Sequence, residues 1–335
     1  MTYLGARGST AQAMAAVLHL PSAGSLAAGL QARSAALRAL DGGGVTVAET
    51  DRVWADPSLP PLRSYLDAVA TGYGAGVGQA PLLSNPVKAA ALIDAAIAAA
   101  TRGHIPRLLS PSDIGNAVFV LTDALYLTAR WATPFLAPNI SSGPFSTLTG
   151  QHVRARYLWG DGYTSAKADG WTAVSLPYQG SRLAMTALLP PAGQPAAGCQ
   201  DLTASVLASL TRALDRPRSR GGAALQLPEV SMSSHQDLQK LLTKLGMGIA
   251  FSPLAADFAG ISPAAGYLGP VEHAATLRVD AAGTTASAAT GVVVLPTAGF
   301  GGPTIAFTLP YLMLITDTQT GEPLFLARVA NPDLP

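Results

Sequence analysis

Cysteine is almost absent from this chain: Cys199 is the only one in 335 residues. A single thiol excludes an intrachain disulfide framework and any cysteine-built metal site, so burial alone must hold the fold. Cys199 follows the loop Pro190-Pro191-Ala-Gly-Gln-Pro-Ala-Ala-Gly198 and reads as an incidental surface thiol. Charge is also scarce, 12% of residues against 49% hydrophobic, with a formal net charge of +1. That balance leaves no basic field for nucleic acid and no acidic tail. It is ample for a sizeable core and too apolar for a disordered chain.

Chemical motifs are missing as well. His19, His104, His152, His235 and His273 never stand three or four residues apart or near the cysteine, so metal-ligand spacing is absent. The first four read as surface residues. There is no G-x-S-x-G elbow and no H-E-x-x-H. Gly72-Tyr-Gly74-Ala-Gly76-Val-Gly78 lacks the preceding strand and the acidic partner of a nucleotide loop. A Ser-His-Asp triad assembles in space, and spacing alone does not exclude it, but no serine sits in a nucleophile context. These absences argue against an enzyme, a metal and a cofactor. Met1-Thr-Tyr-Leu-Gly5 has neither a basic start nor a long apolar stretch, so no signal peptide is read. No run of about twenty apolar residues is free of breakers, which counts against a membrane-spanning helix. The nearest candidate, Ala281 to Thr316, carries no charge at all. Eight glycines and prolines interrupt it, including Gly283, Gly291, Pro296 and Pro310, and its neutrality needs another explanation.

What is present falls into a helical part followed by a strand-rich part. Thr10–Leu18, with Ser9 or Thr10 as cap, Ser25–Leu40, Leu62–Thr71 and the alanine-rich Pro86–Thr101 read as helices. Val45–Trp54 alternates as a strand between them. Beyond residue 115, Ala117–Trp131, Thr172–Pro177, Arg182–Leu189, Ala223–Val230, Ala274–Val279, Ile305–Phe307, Leu312–Thr316 and Leu324–Val329 read as strands. Ser234–Leu245 reads as one interrupting helix, and Pro217–Gly222 as a solvated basic turn. This order predicts an α+β domain with mixed or antiparallel sheets.

Seven motifs, in order, carry a family resemblance. They are Tyr3-Leu4-Gly5-Ala6-Arg7-Gly8, then Leu125-Tyr126 to Trp131 with Pro134-Phe135, then Pro144-Phe145. Leu176-Pro177-Tyr178-Gln179-Gly180 follows, closed by Leu189-Pro190, and then Leu227-Pro228 with Asp237-Leu238 and Leu245-Gly246-Met247. Last come Val279-Asp280-Ala281-Ala282-Gly283-Thr284-Thr285-Ala286-Ser287-Ala288-Ala289-Thr290 and Phe325-Leu-Ala-Arg-Val329-Ala-Asn331-Pro332. Each is weak alone; together they resemble the serpin family, of bacterial type. The resemblance implies one serpin domain over residues 1–335, with three β-sheets, about eight helices and a mobile reactive-centre loop at about 281–303. It implies a monomeric, extracellular inhibitor of a serine protease, with a cytoplasmic location left open. It implies no cofactor, no metal, no nucleic-acid or membrane partner and no catalytic residue. A non-inhibitory binding or storage module and an inactive truncated remnant are the alternatives. The opening residues resemble the end of the family's second helix, so the first helix and an edge strand are expected to be missing.

In such proteins the loop is cut once and then enters the large sheet as a central strand, a process in which stored strain is released. The stretch from Gly283 through Thr284, Thr285, Ala286, Ser287, Ala288, Ala289 and Thr290 resembles the hinge. A central strand is buried on both faces, which alternate along it. One face would carry Thr284, Ala286, Ala288, Thr290, Val292 and Val294, the other Thr285, Ser287, Ala289, Gly291 and Val293. Neither holds a charge or a large residue, which accounts for the neutrality of the segment. About ten new backbone hydrogen bonds at ~1 kcal/mol net each amount to on the order of 10 kcal/mol. Counting Gly283 as the fifteenth residue before the cut places the reactive bond at Thr297–Ala298, which implies an elastase-like or subtilisin-like target. Phe300–Gly301 is the alternative and implies a chymotrypsin-like one. The resemblance also places Trp131 where the loop first inserts and His273 beneath the opening sheet. Asp123 stands near His273 where the family usually has asparagine, so a pH-sensitive pair is expected there. Ala281 replaces a usual glutamate at the base of the hinge, which weakens an anchoring contact.

Overall fold

Short-range signals set where the helices begin. The computed structural model describes residues 1–21, 23–73, 76–115, 117–180, 182–192, 202–215, 222–269, 271–284 and 302–332. One compact unit comprises Met1–Asp41, Val47–Tyr126 and Ser233–Thr276. It opens with a 3-10 turn at Thr2–Gly5 and the helices α1 (Gly8–Val17) and α2 (Ala23–Arg38). Arg7 holds the N-cap position of α1, in place of the expected Ser9 or Thr10. The Thr10 hydroxyl is fully buried and accepts the Asp257 backbone N–H at 2.9 Å instead. Strand β1 (Val45–Ala55), helix α3 (Arg63–Tyr73), strand β2 (Val77–Gln79) and helix α4 (Pro86–Ala100) follow. Asn85 caps α4 by accepting the Lys88 N–H at 3.0 Å, with Pro86 preset at the first helical position. Ser110 and Asp113 form a capping box around the single turn α5 (Pro111–Ile114). Ala89, Ala90, Ile93 and Ile97 recur at helical spacing on α4 and pack with Leu82, Ile105, Leu108 and Val120 into one core cluster.

Strand β3 (Phe119–Arg130) begins in this unit. Within it β2 runs parallel to β1. β3 pairs directly and in parallel with the strand β10 (Val271–Val279), from Leu121↔Val271 to Leu125↔Ala275.

The other unit comprises Gly42–Thr46, Leu127–Met232 and Leu277–Pro335. It contains β4 (Ile140–Ser146), β5 (His152–Ala168), β6 (Trp171–Pro177), β7 (Leu183–Leu189), α6 (Ala204–Leu214) and β8 (Ala223–Pro228). It ends with β11 (Gly283–Thr284), β12 (Thr304–Ala306), β13 (Tyr311–Asp317) and β14 (Pro323–Val329). All of these strands but β11 form a sheet in the order β12-β8-β5-β6-β7-β13-β14, with β4 on β5. The expected second and third sheets are joined in β5, whose register shifts between Gly160 and Tyr163. Asp169 and Gly170, both at positive φ, make the two-residue turn into β6. Helix α6, capped by Thr203, buries Val206 and Leu210 against Trp171, Leu188 and Leu312. Among the described residues there are seven α-helices.

Two readings need correction. The expected strand Ala223–Val230 is two strands, β8 and β9 (Val230–Asp237), separated at Glu229. The expected helix Ser234–Leu245 starts only after Asp237, as the turn α7 (Gln239–Leu242) followed by a wide turn over Thr243–Met247. Residues 234–237 are extended because β9 completes the sheet beside β10, and their serine, histidine and glutamine side chains are exposed. Gly246, at φ 115°, kinks the wide turn from within.

Candidate functional site

The candidate site is the base of the expected hinge. β11 lies antiparallel to both neighbours, pairing Gly283 with Arg130 and Thr284 with Ala129 on β3, and Thr284 with Val279 on β10. So where β3 and β10 are parallel partners further along, at this end two residues already separate them. Gly283 has φ 155°, and a Cβ there would overlap the Ala129 carbonyl oxygen; only glycine fits. Thr284 is fully buried, and its hydroxyl meets the Tyr178 hydroxyl at 2.6 Å. Burial pushes the Tyr178 phenol well above its ordinary range, against the smaller effect of the Thr284 bond, so it stays neutral and able to donate.

Aromatic residues form the wall behind this pair. Trp131, 1% exposed, stacks on Tyr178 with ring centroids 4.6 Å apart and meets Phe135 edge-on at 6.3 Å. Its indole N–H donates to the Asp280 carbonyl at 2.8 Å and its backbone N–H to the Ala282 carbonyl at 3.0 Å. The Phe135 N–H donates to the Ala281 carbonyl at 2.9 Å. The Asp280 carboxylate accepts from the N–H groups of Ala282 at 2.9 Å and Gly283 at 3.3 Å. The turn over residues 280–283 is thereby tied at nearly every polar backbone group.

The second expected group lies on the directly paired part of β3 and β10. His273 and Asp123 are register partners, with Nδ1 3.6 Å from Oδ2. The bond to Asp123 raises the imidazole above its usual 6.5, more than burial lowers it. Burial raises the Asp123 carboxyl, but hydrogen bonds involving His273 and Asp51, and the charges of His273 and Arg33, bring it below its usual range. The adjacent Glu272, 6% exposed, is bonded by His235 at 2.9 Å. His235 therefore has a partner that its reading as a plain surface residue missed, as does His104, whose Nε2 lies 2.8 Å from the Tyr126 hydroxyl.

Gly283, Thr284 and Trp131 are thus brought together, and so are Asp123 and His273. Thr285, Ala286, Ser287, Ala288, Ala289 and Thr290 of the hinge lie outside the described residues. So do Thr297, Ala298, Phe300 and Gly301 of the two candidate bonds, and Cys199. The Tyr178 hydroxyl and the Asp280 carboxylate were not picked out in the sequence, because their partners are visible only once the strands are paired. Among the described residues no three of His, Cys, Asp or Glu are grouped to hold a metal, and no helix is long and apolar enough to cross a membrane.

A family model described as Serpin (serine protease inhibitor) matches residues 1–332. The leukocyte elastase inhibitor of Bos taurus is 28% identical over 342 residues, covering 99% of this chain and 89% of that protein. Putative serpin-Z12 of Oryza sativa is 30% identical over 305 residues, covering 84% and 70%. Among solved structures, human glycosylated kallistatin aligns over 100% of this chain and 88% of its own with a TM-score of 0.87 at 24% identity. The thermophilic serpin tengpin, in its native state, aligns over 98% and 84% with a TM-score of 0.85 at 20% identity.

Proposed function

The chain belongs to the serpin family, and on that premise we propose that it inhibits a serine protease as a suicide substrate. One observation carries the reading. Thr284 is buried as an antiparallel residue between two strands that are otherwise parallel to each other, which is the start of an inserted strand. The residues that continue it, from Thr285 to Val294, are small or apolar and uncharged, as burial on both faces requires. The protease serine attacks the carbonyl of Thr297, or of Phe300, and the peptide nitrogen that follows leaves. The cut loop, still held to the protease by the resulting ester, then enters between β3 and β10 before water can resolve that ester. The chemistry belongs to the protease, and this chain contributes no catalytic group.

Incubation with elastase, subtilisin and chymotrypsin, followed by denaturing gels, tests this. A covalent complex with one of them is the expected result. Thr284→Arg should give cleaved monomer in its place, because a guanidinium cannot be buried unpaired at that position. Thr284→Val should retain the complex. Clean cleavage of the wild-type chain by all three proteases would favour the binding-module reading.

A further inference from the structure

Next to Trp131, within one compact unit, lies a recess of about 80 Å3 lined by Trp131, Thr133, Asp161, Tyr163 and Leu176. A dry cavity that takes up benzene measures roughly 150 Å3, so this one admits a small head group and not a ring of that size. Its lining is graded. Trp131 and Leu176 are buried, Tyr163 is half-buried, and Thr133 and Asp161 are exposed. The floor is therefore aromatic and apolar, and the mouth is polar. Asp161 and Gly162 fall where the pairing of β5 with β8 shifts register between Gly160 and Tyr163, and Gly162 has φ 80°. Such an irregularity re-aims side chains that a regular strand would alternate. A Cβ at position 160 would overlap the Tyr163 ring, so the glycine there leaves that ring room to stack on Phe135 at 6.1 Å. Asp161 is the one charged residue in the lining. Burial raises the Tyr163 phenol above its ordinary range and the Asp161 charge adds to it, so the phenol stays neutral beside the carboxylate.

We propose that this recess binds an alkylguanidinium group, the chemistry shared by free guanidino compounds and the arginine side chain. A carboxylate at the mouth, with no cation in the lining, turns anions away and offers charge-assisted hydrogen bonds to a cation. The aromatic rings attract positive charge through their faces, and the Thr133 hydroxyl can accept a further N–H. A guanidinium suits this lining better than an ammonium, because it is planar, carries five donors and is more weakly hydrated. Trp131 also bonds the carbonyls of Asp280 and Ala282, so occupancy is linked to the turn over residues 280–283. Any consequence for inhibition rests on the inhibitory reading above; the binding itself does not.

Titration of the intact chain with butylguanidinium, read by calorimetry and by the Trp131 indole N–H resonance, tests the site without any protease. The expected dissociation constant is about 1 mM or tighter, with a shift of that resonance. Butylurea, neutral and of the same shape, should bind about 10-fold more weakly or worse, as expected for loss of a charged hydrogen bond. Asp161→Asn, an exposed and size-conserving change, should cost butylguanidinium a similar factor. Tyr163→Leu should weaken binding about 3-fold and Tyr163→Phe should restore it, since the ring and not the hydroxyl attracts the cation. A tripeptide with arginine at its centre that binds more tightly than butylguanidinium assigns the group to a polypeptide, and the reverse order assigns it to a free small molecule; either supports the site. Equal affinity for butylguanidinium and butylurea would overturn the proposal, as would unchanged affinity in Asp161→Asn or a Trp131 resonance that does not move. If butylguanidinium binds as expected while the wild type forms no complex with any protease, the site stands and the inhibitory reading fails.

Discussion

His273 and Asp123 stand across β10 and β3 at a separation where protonation of the imidazole turns a polar contact into an ion pair. The folded imidazole is raised above 6.5, so its stabilising contribution is fully present below that value and is lost as the pH rises through the folded value. The folded carboxyl is lowered below 3.8, so its contribution is present above that value and is lost only in stronger acid. The pair is tightest in the mildly acidic interval between. Both side chains are well exposed, at 39% and 55%, so solvent screening keeps the effect small. The thermal midpoint should fall between about pH 6 and 8 in the wild type, and the fall should flatten in Asp123→Asn. An unchanged slope in that variant would place the dependence elsewhere. Trp131 and Gly283 were legible because each lies inside a family motif, and Asp123 and His273 because the resemblance places them beneath the opening sheet. Tyr178 was not legible as the partner of Thr284. The Tyr178 and Thr284 hydroxyls that meet are 106 positions apart, and nothing local in either segment marks the pairing.

At the scale of elements, β11 is a two-residue strand whose existence depends on one glycine. Gly283 combines a φ of 155° with no room for a Cβ against the Ala129 carbonyl, so Gly283→Ala should withdraw β11 from between β3 and β10. Asp280 and Ala282, which bond the indole and backbone of Trp131, would shift with it. The expected readout is a red shift of Trp131 emission, measured where Trp54, Trp159 and Trp171 are replaced by phenylalanine. An unshifted spectrum would show that the hinge does not need this glycine. Elements with strong local signals were readable in advance. Helix α4 has its Asn85 cap, its Pro86 and an unbroken alanine-rich face, and β3 has a long alternating run. β9 was misread because Ser234, His235 and Gln236 carry no β pattern of their own. They are extended because β10 offers an edge to pair with. The long strand β5 was missed for a related reason, since glycines at 160 and 162 interrupt the periodicity where its register shifts.

For the whole chain, the ordered motifs made the fold legible, and the family model spans residues 1–332. What the motifs did not supply is register, and register fixes what insertion would do. Continuing Gly283↔Arg130 and Thr284↔Ala129 along β3 brings Thr290 opposite Asp123 and Val292 opposite Leu121. Continuing Thr284↔Val279 along β10 brings Thr290 opposite His273 and Val292 opposite Val271. Those are the residues that now pair with each other, at His273↔Asp123 and Val271↔Leu121. Residues 285–292 would therefore part the direct β3–β10 ladder to its last pair and deliver the Thr290 hydroxyl between the histidine and the carboxylate. Two ladders would replace one, a net gain on the order of 5–10 kcal/mol at about 1 kcal/mol per hydrogen bond. Cleavage anywhere from Val294 to Gly301 should accordingly raise the midpoint of thermal unfolding by roughly 10 °C or more. The same cut in Thr284→Arg should leave it unchanged, since the first residue to enter can no longer be buried. If the cut wild-type chain unfolds at the temperature of the intact one, the loop does not insert, and its neutrality serves some other end.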